Sequence, residues 1–386
     1  MALLLAALNL RPSIASVPPL LGTIQEQLGI SGAVVSLLTS LPVLCMGIFA
    51  PLAVKLNRRW GTEGTIMVAL ILIGAATALR FLAVTTSVLL MTSLLAGIGI
   101  AIAGPLLSGY IKRHFPNRAS TMVGLYSTAM VLGAVLSIWL SVPLQTLFHG
   151  SWNASLGIWA LVAVIALPIW VKLAAATKRE APLQAGPAVA ERLPLTTYRA
   201  WVLMLFFGFM AAVFYSVTTW FAPVVQSMGY SKSTAANIQS VLTLISLPAT
   251  LLIPMGMQRF HGRLWWLLGC SVLELVGVLM LIFHVNPWLA AIPLGIGTGG
   301  LFPIALILPI QETGSPREAN AWSAMAQSGG YILGAAGPFV MGRIHDVSDH
   351  FAPALYVLAG IVVLQIAVQL IIGNKAPVGQ KAVSGS

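Results

Sequence analysis

The residue best suited to chemistry is an arginine inside an apolar stretch near the start of the chain. The motif Asn9-Leu10-Arg11-Pro12 lies in a run that predicts one helix over residues 2–28. A charge at the centre of a bilayer costs about 3 kcal/mol, so an intramembrane arginine normally faces a partner or a water-filled cavity. At about 1.5 Å of rise per residue, Arg11 would lie near mid-depth of a hydrocarbon layer about 30 Å thick. We therefore predict that Arg11 belongs to a binding site; the alternative is an arginine that snorkels from a helix end.

The composition predicts that the chain lies in a lipid bilayer. Hydrophobic residues make up 58% of the 386 residues, and charged residues only 8%. Soluble domains carry about 25% charged residues, so this chain lacks the polar surface that they need. Apolar runs of about 20 residues recur along the sequence, as transmembrane helices require, without the alternating polar residues of a barrel. We predict an all-α integral membrane protein.

Twelve of these runs are long enough to be transmembrane helices. They cover residues 2–28, 33–55, 64–84, 88–111, 119–143, 153–173, 200–228, 234–257, 264–285, 288–311, 320–344 and 352–373. Sixteen of the 20 Lys and Arg residues lie in connections after even-numbered runs, around the central connection or in the tail. By the positive-inside rule these parts and both termini are cytoplasmic. Arg80, Lys232 and Arg343 are placed near the opposite side. The formal charge of +11 therefore reports topology rather than a nucleic-acid surface.

A polar stretch divides the runs into two sets of six. Residues 174–199 form the longest connection, which we interpret as a cytoplasmic linker. It separates an N-terminal six-helix bundle, 1–173, from a C-terminal six-helix bundle with a short tail, 200–386. We expect the two bundles to be related by pseudo-two-fold symmetry.

An internal repeat supports this division. The same small-residue motif occurs in the fourth and tenth runs, 198 residues apart, as Gly97, Gly99 and Pro105 and again as Gly295, Gly297 and Pro303. Repeats of about 200 residues are typical of transporters built from two similar halves with a site between them. Because glycine lets helix backbones approach closely, we predict a packing role for these residues in elements that move.

Twelve spans in two sets of six resemble the major facilitator superfamily, and several segments resemble its cyanate transporter group, which includes nitroimidazole exporters. Those segments are Asn9–Pro12 with Pro19–Leu21, Leu41–Val43, Ile111–Arg113 with Phe115, Trp220 with Pro223, and Met325–Tyr331 leading to Gly337-Pro338. The stretch from Gly295 to Pro303 is closer to the cyanate permeases than to the exporters. The resemblance implies alternating access in a bacterial inner membrane.

One position departs from the superfamily pattern. An acidic residue usually lies three positions before the glycine of the loop between helices two and three, where this chain has Arg58 before Gly61. A gating role based on that carboxylate is therefore not expected. Arg58 and Arg59 could cap a helix end or bind anionic lipid, and we favour lipid binding and topology.

The resemblance also indicates which residues could line a central cavity. In this fold, helices one, two, four, five, seven, eight, ten and eleven surround it. The candidates on these helices are Gln327 and Tyr331, which share a helix face, together with Tyr126, Tyr215, Trp220, Arg11 and, as a weaker candidate, Asn9. Packing is the alternative for each aromatic residue, and Trp220 could belong to an interfacial belt.

A guanidinium without a nearby carboxylate is what an anion site requires, because it supplies fixed positive charge and five donors. The expected substrate is a small anion such as cyanate. Only Glu274 among the nine acidic residues lies deep in a run, on a helix that is peripheral in this fold. We interpret it as a locally hydrogen-bonded or protonated group, so no carboxylate is evident for proton coupling.

Other classes of protein fit less well. A membrane enzyme needs convergent nucleophiles, acids or metal ligands, and no such motif occurs inside the spans. A sensor or scaffold needs no intramembrane arginine between repeats, although the sequence leaves that class open. The cysteines Cys45 and Cys270 are single residues within apolar runs and indicate neither a disulfide nor a metal site. We expect no cofactor, no metal and no nucleic acid, but a monomer surrounded by lipid.

Overall fold

The computed structural model describes residues 1–30, 32–180, 193–260, 262–348 and 350–373, and every regular element within these ranges is helical. The helices are α1 Ala2–Asn9, α2 Pro12–Ala15, α3 Leu21–Leu28, α4 Gly32–Ala78, α5 Thr86–His114, α6 Ala119–Leu147, α7 Trp152–Gly157, α8 Ala160–Glu180, α9 Tyr198–Ser227, α10 Lys232–Arg259, α11 Arg263–Ile282, α12 Pro287–Glu312, α13 Pro316–Ser348 and α14 Ala352–Ile372. Short 3₁₀ segments cover Pro18–Leu20, Leu79–Leu82 and Pro116–Arg118. The prediction of an all-α membrane protein is confirmed.

Ten stretches of the described residues are long and apolar enough to cross a membrane. The predicted span 33–55 and most of the predicted span 64–84 fall within α4, whose 47 residues would extend about 70 Å if straight. That length exceeds one crossing of about 30 Å, and the helix is broken at Gly61, where φ is 72°. The predicted span 320–344 lies in α13, which is long enough but is not among the ten.

The prediction of one continuous helix over residues 2–28 is wrong. The chain instead forms α1, then α2, a 3₁₀ turn over Pro18–Leu20, and α3. Pro12 follows Arg11 directly, and two more prolines start the 3₁₀ turn. Proline lacks an N–H and clashes with the preceding turn, so a run with three prolines cannot keep regular hydrogen bonds. These prolines were the sequence signal for the interruption.

The chain forms two compact units. Unit 1 contains residues 1–114, 129–193 and 315–324, and unit 2 contains residues 115–128, 194–314 and 325–386. This division differs from the predicted halves, 1–173 and 200–386, at two short segments, because 115–128 belongs to unit 2 and 315–324 to unit 1. Part of the predicted linker, residues 181–192, lies outside the described residues, and the remainder includes the end of α8.

In unit 1 the repeat glycines of α5 bring two parts of α4 close to it. A Cβ on Gly97 would lie 2.7 Å from Pro42 Cα, and a Cβ on Gly99 would lie 2.6 Å from Ile73 Cγ1. Only glycine fits at such distances without a shift of the neighbouring atoms, which are backbone at Gly97 and an isoleucine side chain at Gly99. Pro105 is buried farther along the same helix.

Unit 2 repeats this arrangement with α12. A Cβ on Gly295 would lie 2.7 Å from the Leu242 carbonyl oxygen of α10, and a Cβ on Gly297 would lie 2.6 Å from Glu274 Cγ of α11. Pro303 is likewise buried within α12. Each of these glycines therefore packs helices of its own unit, and a role in motion stays a prediction.

Candidate functional site

Arg11 lies where the first span is interrupted. It is the residue before α2, with φ of −105° and ψ of −34°, and its side chain is half-buried. Its carbonyl accepts from the backbone N–H groups of Ile14 and Ala15 at 3.0 and 2.9 Å. Asn9 ends α1 and is buried, and its side-chain nitrogen has no hydrogen-bond partner among the described residues. The interruption thus places a guanidinium and an amide on irregular backbone, which in membrane proteins lines cavities or protein interiors.

Arg80 is a fully buried arginine that was not among the predicted site residues. The sequence places it near the side opposite the basic connections, and in the structure its side chain is enclosed within unit 1. Its Nη1 donates to the Ser13 carbonyl at 2.7 Å, and its Nε and Nη2 lie 3.4 and 3.3 Å from the hydroxyls of Thr92 and Ser93. The end of an apolar run gave no hint of these partners, because they lie 12 to 67 residues away in the sequence.

An aromatic cluster forms in unit 2 around two of the predicted site residues. The ring centroids of Tyr215 and Tyr331 are 6.5 Å apart. Phe207 packs edge-on against Tyr331 at 5.1 Å, and Phe214 lies 5.3 Å from Tyr215 and 6.1 Å from Phe302. The Tyr215 hydroxyl is buried and has no hydrogen-bond partner within the described chain. This aromatic cluster offers ring faces and one free hydroxyl to a small solute.

The remaining candidates of unit 2 differ in their surroundings. Gln327, one turn before Tyr331 on α13, is buried with its side-chain nitrogen unpaired among the described residues. Tyr126 is buried on α6. The Trp220 Nε1 donates to the Pro338 carbonyl at 2.9 Å, and its ring packs against His345 and Phe351. These contacts favour the packing alternative for Trp220.

Two ion-pair clusters, each around a buried glutamate, were not expected from the sequence. In unit 2, Glu312 at the end of α12 pairs with Arg263 at 2.6 Å and with Arg199 at 2.9 Å. In unit 1, Glu63 lies 3.3 Å from both Arg113 and His114 at the end of α5. Glu63 lies two residues after Gly61, and Arg263 lies one residue after Gly262; both glycines have a positive φ. The charged residue that follows the glycine is therefore acidic in unit 1 and basic in unit 2.

Arg58 contributes to neither cluster, and it is exposed before Gly61. The acid of this loop lies instead two residues after the glycine, at Glu63, which is buried. The loop lacks the carboxylate three positions before Gly61, but it forms an ion pair through Glu63 instead. Lipid binding by Arg58 stays a prediction.

Glu274 sits in a polar cluster between α11 and α14. It is fully buried, and Gln365 Nε2 donates to its Oε2 at 2.8 Å. Ser271 Oγ accepts from Gln365 and Gln369, both at 2.7 Å. The arrangement agrees with the interpretation of Glu274 as a locally hydrogen-bonded group.

The family follows from comparison with known proteins. Residues 3–338 match the sequence profile of the Major Facilitator Superfamily. The chain belongs to this superfamily. It is therefore a membrane transporter and not an enzyme.

Three bacterial relatives match this superfamily member over most of their length. The cyanate transport protein CynX of Escherichia coli is 31% identical over 91% of this chain and 91% of its own. The 2-nitroimidazole transporter of Escherichia coli is 32% identical over 92% of this chain and 89% of its own. An uncharacterized transporter of Bacillus subtilis, YycB, is 32% identical over 94% and 90%. The predicted resemblance to the cyanate and nitroimidazole group is confirmed.

Solved transporters share the fold. The proton:xylose symporter XylE matches 99% of this transporter and 97% of its own chain with a TM-score of 0.77 at 14% identity. FucP in its outward conformation matches 96% and 98% with a TM-score of 0.71 at 16% identity. At such identities the likeness concerns architecture alone.

Proposed function

We propose that this transporter moves a small anion, with cyanate as the leading candidate, by alternating access across the bacterial inner membrane. Both termini are placed in the cytoplasm, and the working form is a monomer. The observation that carries the proposal is Arg11, a guanidinium at the interruption of an apolar span. The relative that is named a cyanate transport protein supports the same substrate class.

The chemistry of the interruption suits an anion. Arginine stays charged and offers five N–H donors in a planar fork, which matches a compact anion better than a point-like ammonium does. Because Pro12 has no N–H, the helix is interrupted at Arg11, and the Arg11 side chain extends from this interruption. A small anion needs few contacts, so the Arg11 guanidinium supplies the main recognition chemistry. The buried Asn9 side-chain nitrogen, which has no partner among the described residues, is a second donor two residues away.

A second candidate substrate is a small nitroaromatic compound that is exported. The aromatic cluster of unit 2 supports it, since ring faces and the unpaired Tyr215 hydroxyl suit a nitroimidazole. The relative that is named a 2-nitroimidazole transporter also supports it. This candidate depends on the aromatic cluster, whereas cyanate transport depends on Arg11.

Counterflow in proteoliposomes tests the two candidates. Vesicles preloaded with unlabelled cyanate or 2-nitroimidazole would be diluted into the labelled solute, for the wild type and for Arg11→Gln, Arg11→Lys and Tyr215→Phe. We expect cyanate counterflow that Arg11→Gln abolishes and Arg11→Lys impairs, while the exposed control Arg58→Gln has wild-type flux. Cyanate flux unchanged by Arg11→Gln would refute the anion site. Nitroimidazole flux that only Tyr215→Phe reduces would favour the second candidate.

The energy source follows from the charge of the solute. An inside-negative potential drives a monovalent anion outward by about 2.3 kcal/mol per 100 mV. Without an evident carboxylate for protons, we propose potential-sensitive uniport or exchange rather than proton symport. Glu274 supports this proposal, because it is fully buried in unit 2, where Gln365 donates to its Oε2.

A further inference from the structure

The interruption of the first span releases backbone carbonyls from helical hydrogen bonds, among them those of Ser13 and Ser16. In a regular helix Val17 N–H would donate to Ser13 O, and Leu20 N–H would donate to Ser16 O. Here Val17 donates to Ile14 O at 3.3 Å and Leu20 donates to Val17 O at 3.0 Å. The cause is Pro18, which has no N–H for Ile14 O, so the turn before it tightens.

Each of these two carbonyls has a buried donor within reach. Arg80 Nη1 donates to Ser13 O at 2.7 Å. Ser141 Oγ of α6 lies 3.0 Å from Ser16 O and 2.5 Å from Ser137 O of its own helix, so its one O–H is shared between these two acceptors. Arg80 and Ser141 are both fully buried. Irregular backbone at membrane depth is tolerated where it is buried in protein or lines a water-filled cavity, and here Arg80 and Ser141 supply buried protein donors for it.

The Arg80 side chain is itself held in place. Thr92 donates its hydroxyl to Leu89 O at 2.7 Å, which leaves its oxygen to face Arg80 Nε at 3.4 Å. Ser93 Oγ lies 3.3 Å from Nη2. The guanidinium therefore joins the end of α4, the start of α5 and the interrupted span within unit 1.

We propose that Arg80 and Ser141 are positioning residues that hold the interruption in the shape that presents Arg11. Arg80 pairs Ser13 O two residues beyond Arg11, and Ser141 pairs Ser16 O one turn later. The role of Arg11 rests on the proposed function. The contacts of Arg80 with Ser13 O and of Ser141 with Ser16 O, which we call the clamp, do not depend on the proposed function. The clamp and the role of Arg11 therefore have separate tests.

Thermal unfolding in detergent tests the clamp without any substrate. Arg80→Met leaves Ser13 O buried and unpaired, and we expect its Tm to fall by about 5 °C or more. In a Pro18→Ala background the restored N–H can serve Ile14 O, which lets Val17 N–H return to Ser13 O. The loss caused by Arg80→Met should then be at least halved. An equal loss in both backgrounds would overturn the clamp.

A second set of variants covers the case in which Arg80→Met does not fold. Arg80→Lys keeps one donor for Ser13 O, and its smaller Tm loss should also shrink in the Pro18→Ala background. Ser141→Ala should lower the Tm more than Ser137→Ala, since the Ser137 hydroxyl bonds only Ala134 O of its own helix. Equal losses for the two serine variants would overturn the assignment of Ser141.

Transport kinetics test the positioning. In cyanate counterflow we expect Arg80→Lys and Ser141→Ala to raise KM several-fold with little change in maximal flux, because Arg11 is present but displaced. Pro18→Ala, which restores one N–H in the interruption, should raise KM as well. A wild-type KM in Pro18→Ala would overturn the positioning, while a wild type that does not transport cyanate would refute only the proposed substrate.

Discussion

The buried cluster around Glu312 offers the most quantitative prediction. Its Oε1 accepts from Arg263 Nη2 at 2.6 Å and from Arg199 Nη2 at 2.9 Å, and its Oε2 accepts from Arg199 Nε at 3.1 Å. The side chain of Glu312 is 3% exposed, and those of Arg263 and Arg199 are 7% and 19% exposed. Glu312→Gln keeps the shape and removes the charge, so two guanidinium groups are left beside a neutral amide.

The expected loss lies at the lower end of the range for broken buried ion pairs. Removing one partner of such a pair costs about 3–5 kcal/mol. Both arginines keep other partners, because Arg263 Nε donates to Gly373 O at 2.9 Å and Arg199 Nη1 donates to Ile371 O at 2.9 Å. These carbonyls end α14, where the helix dipole also favours cations. We therefore expect a loss of about 3 kcal/mol, or a Tm decrease of about 6–12 °C.

Thermal unfolding followed by tryptophan fluorescence measures this loss. Glu26→Gln is the matched control, because Glu26 is exposed in the other unit. The loss caused by Glu312→Gln should be smaller in an Arg263→Gln background, since the removed interaction is then already incomplete. A Tm within 2 °C of wild type, about the shift expected for a surface change, would refute the reasoning that this cluster stabilises unit 2.

Three further predictions follow from the same structure. Glu63→Gln should lower the Tm less than Glu312→Gln, because its partners lie at 3.3 Å and are more than one third exposed; a larger decrease in parallel melts would contradict this. Gly97→Leu should reduce the yield of monodisperse protein in size-exclusion chromatography, since a Cβ would lie 2.7 Å from backbone, whereas Gly360→Leu should not, because it meets open space; similar yields would remove the packing argument. With the potential clamped by valinomycin and balanced potassium, a pH gradient should not drive cyanate accumulation, and accumulation that is lost in Glu274→Gln would show proton coupling.

The sequence alone determined the environment, the helical architecture and the family. Apolar runs of about 20 residues predict transmembrane helices, because the length and composition of a segment decide whether it can span a bilayer. This prediction needs no knowledge of tertiary contacts. The glycine repeat was equally readable, and all four glycines pack tightly where the motif predicted close approach. The prolines after Arg11 also indicate a broken helix, so the continuous helix predicted over residues 2–28 could have been corrected from the sequence.

Only the tertiary structure decided which charges are buried and with whom they pair. Arg80 reads as a charge at a helix end, yet it is fully buried against Ser13. Glu312 meets Arg199 across 113 residues of sequence. Ion pairs and carbonyl contacts depend on distances of about 3 Å between side chains that packing brings together. Sequence spacing specifies such distances only within one helix, so partners from different helices are fixed by the fold alone.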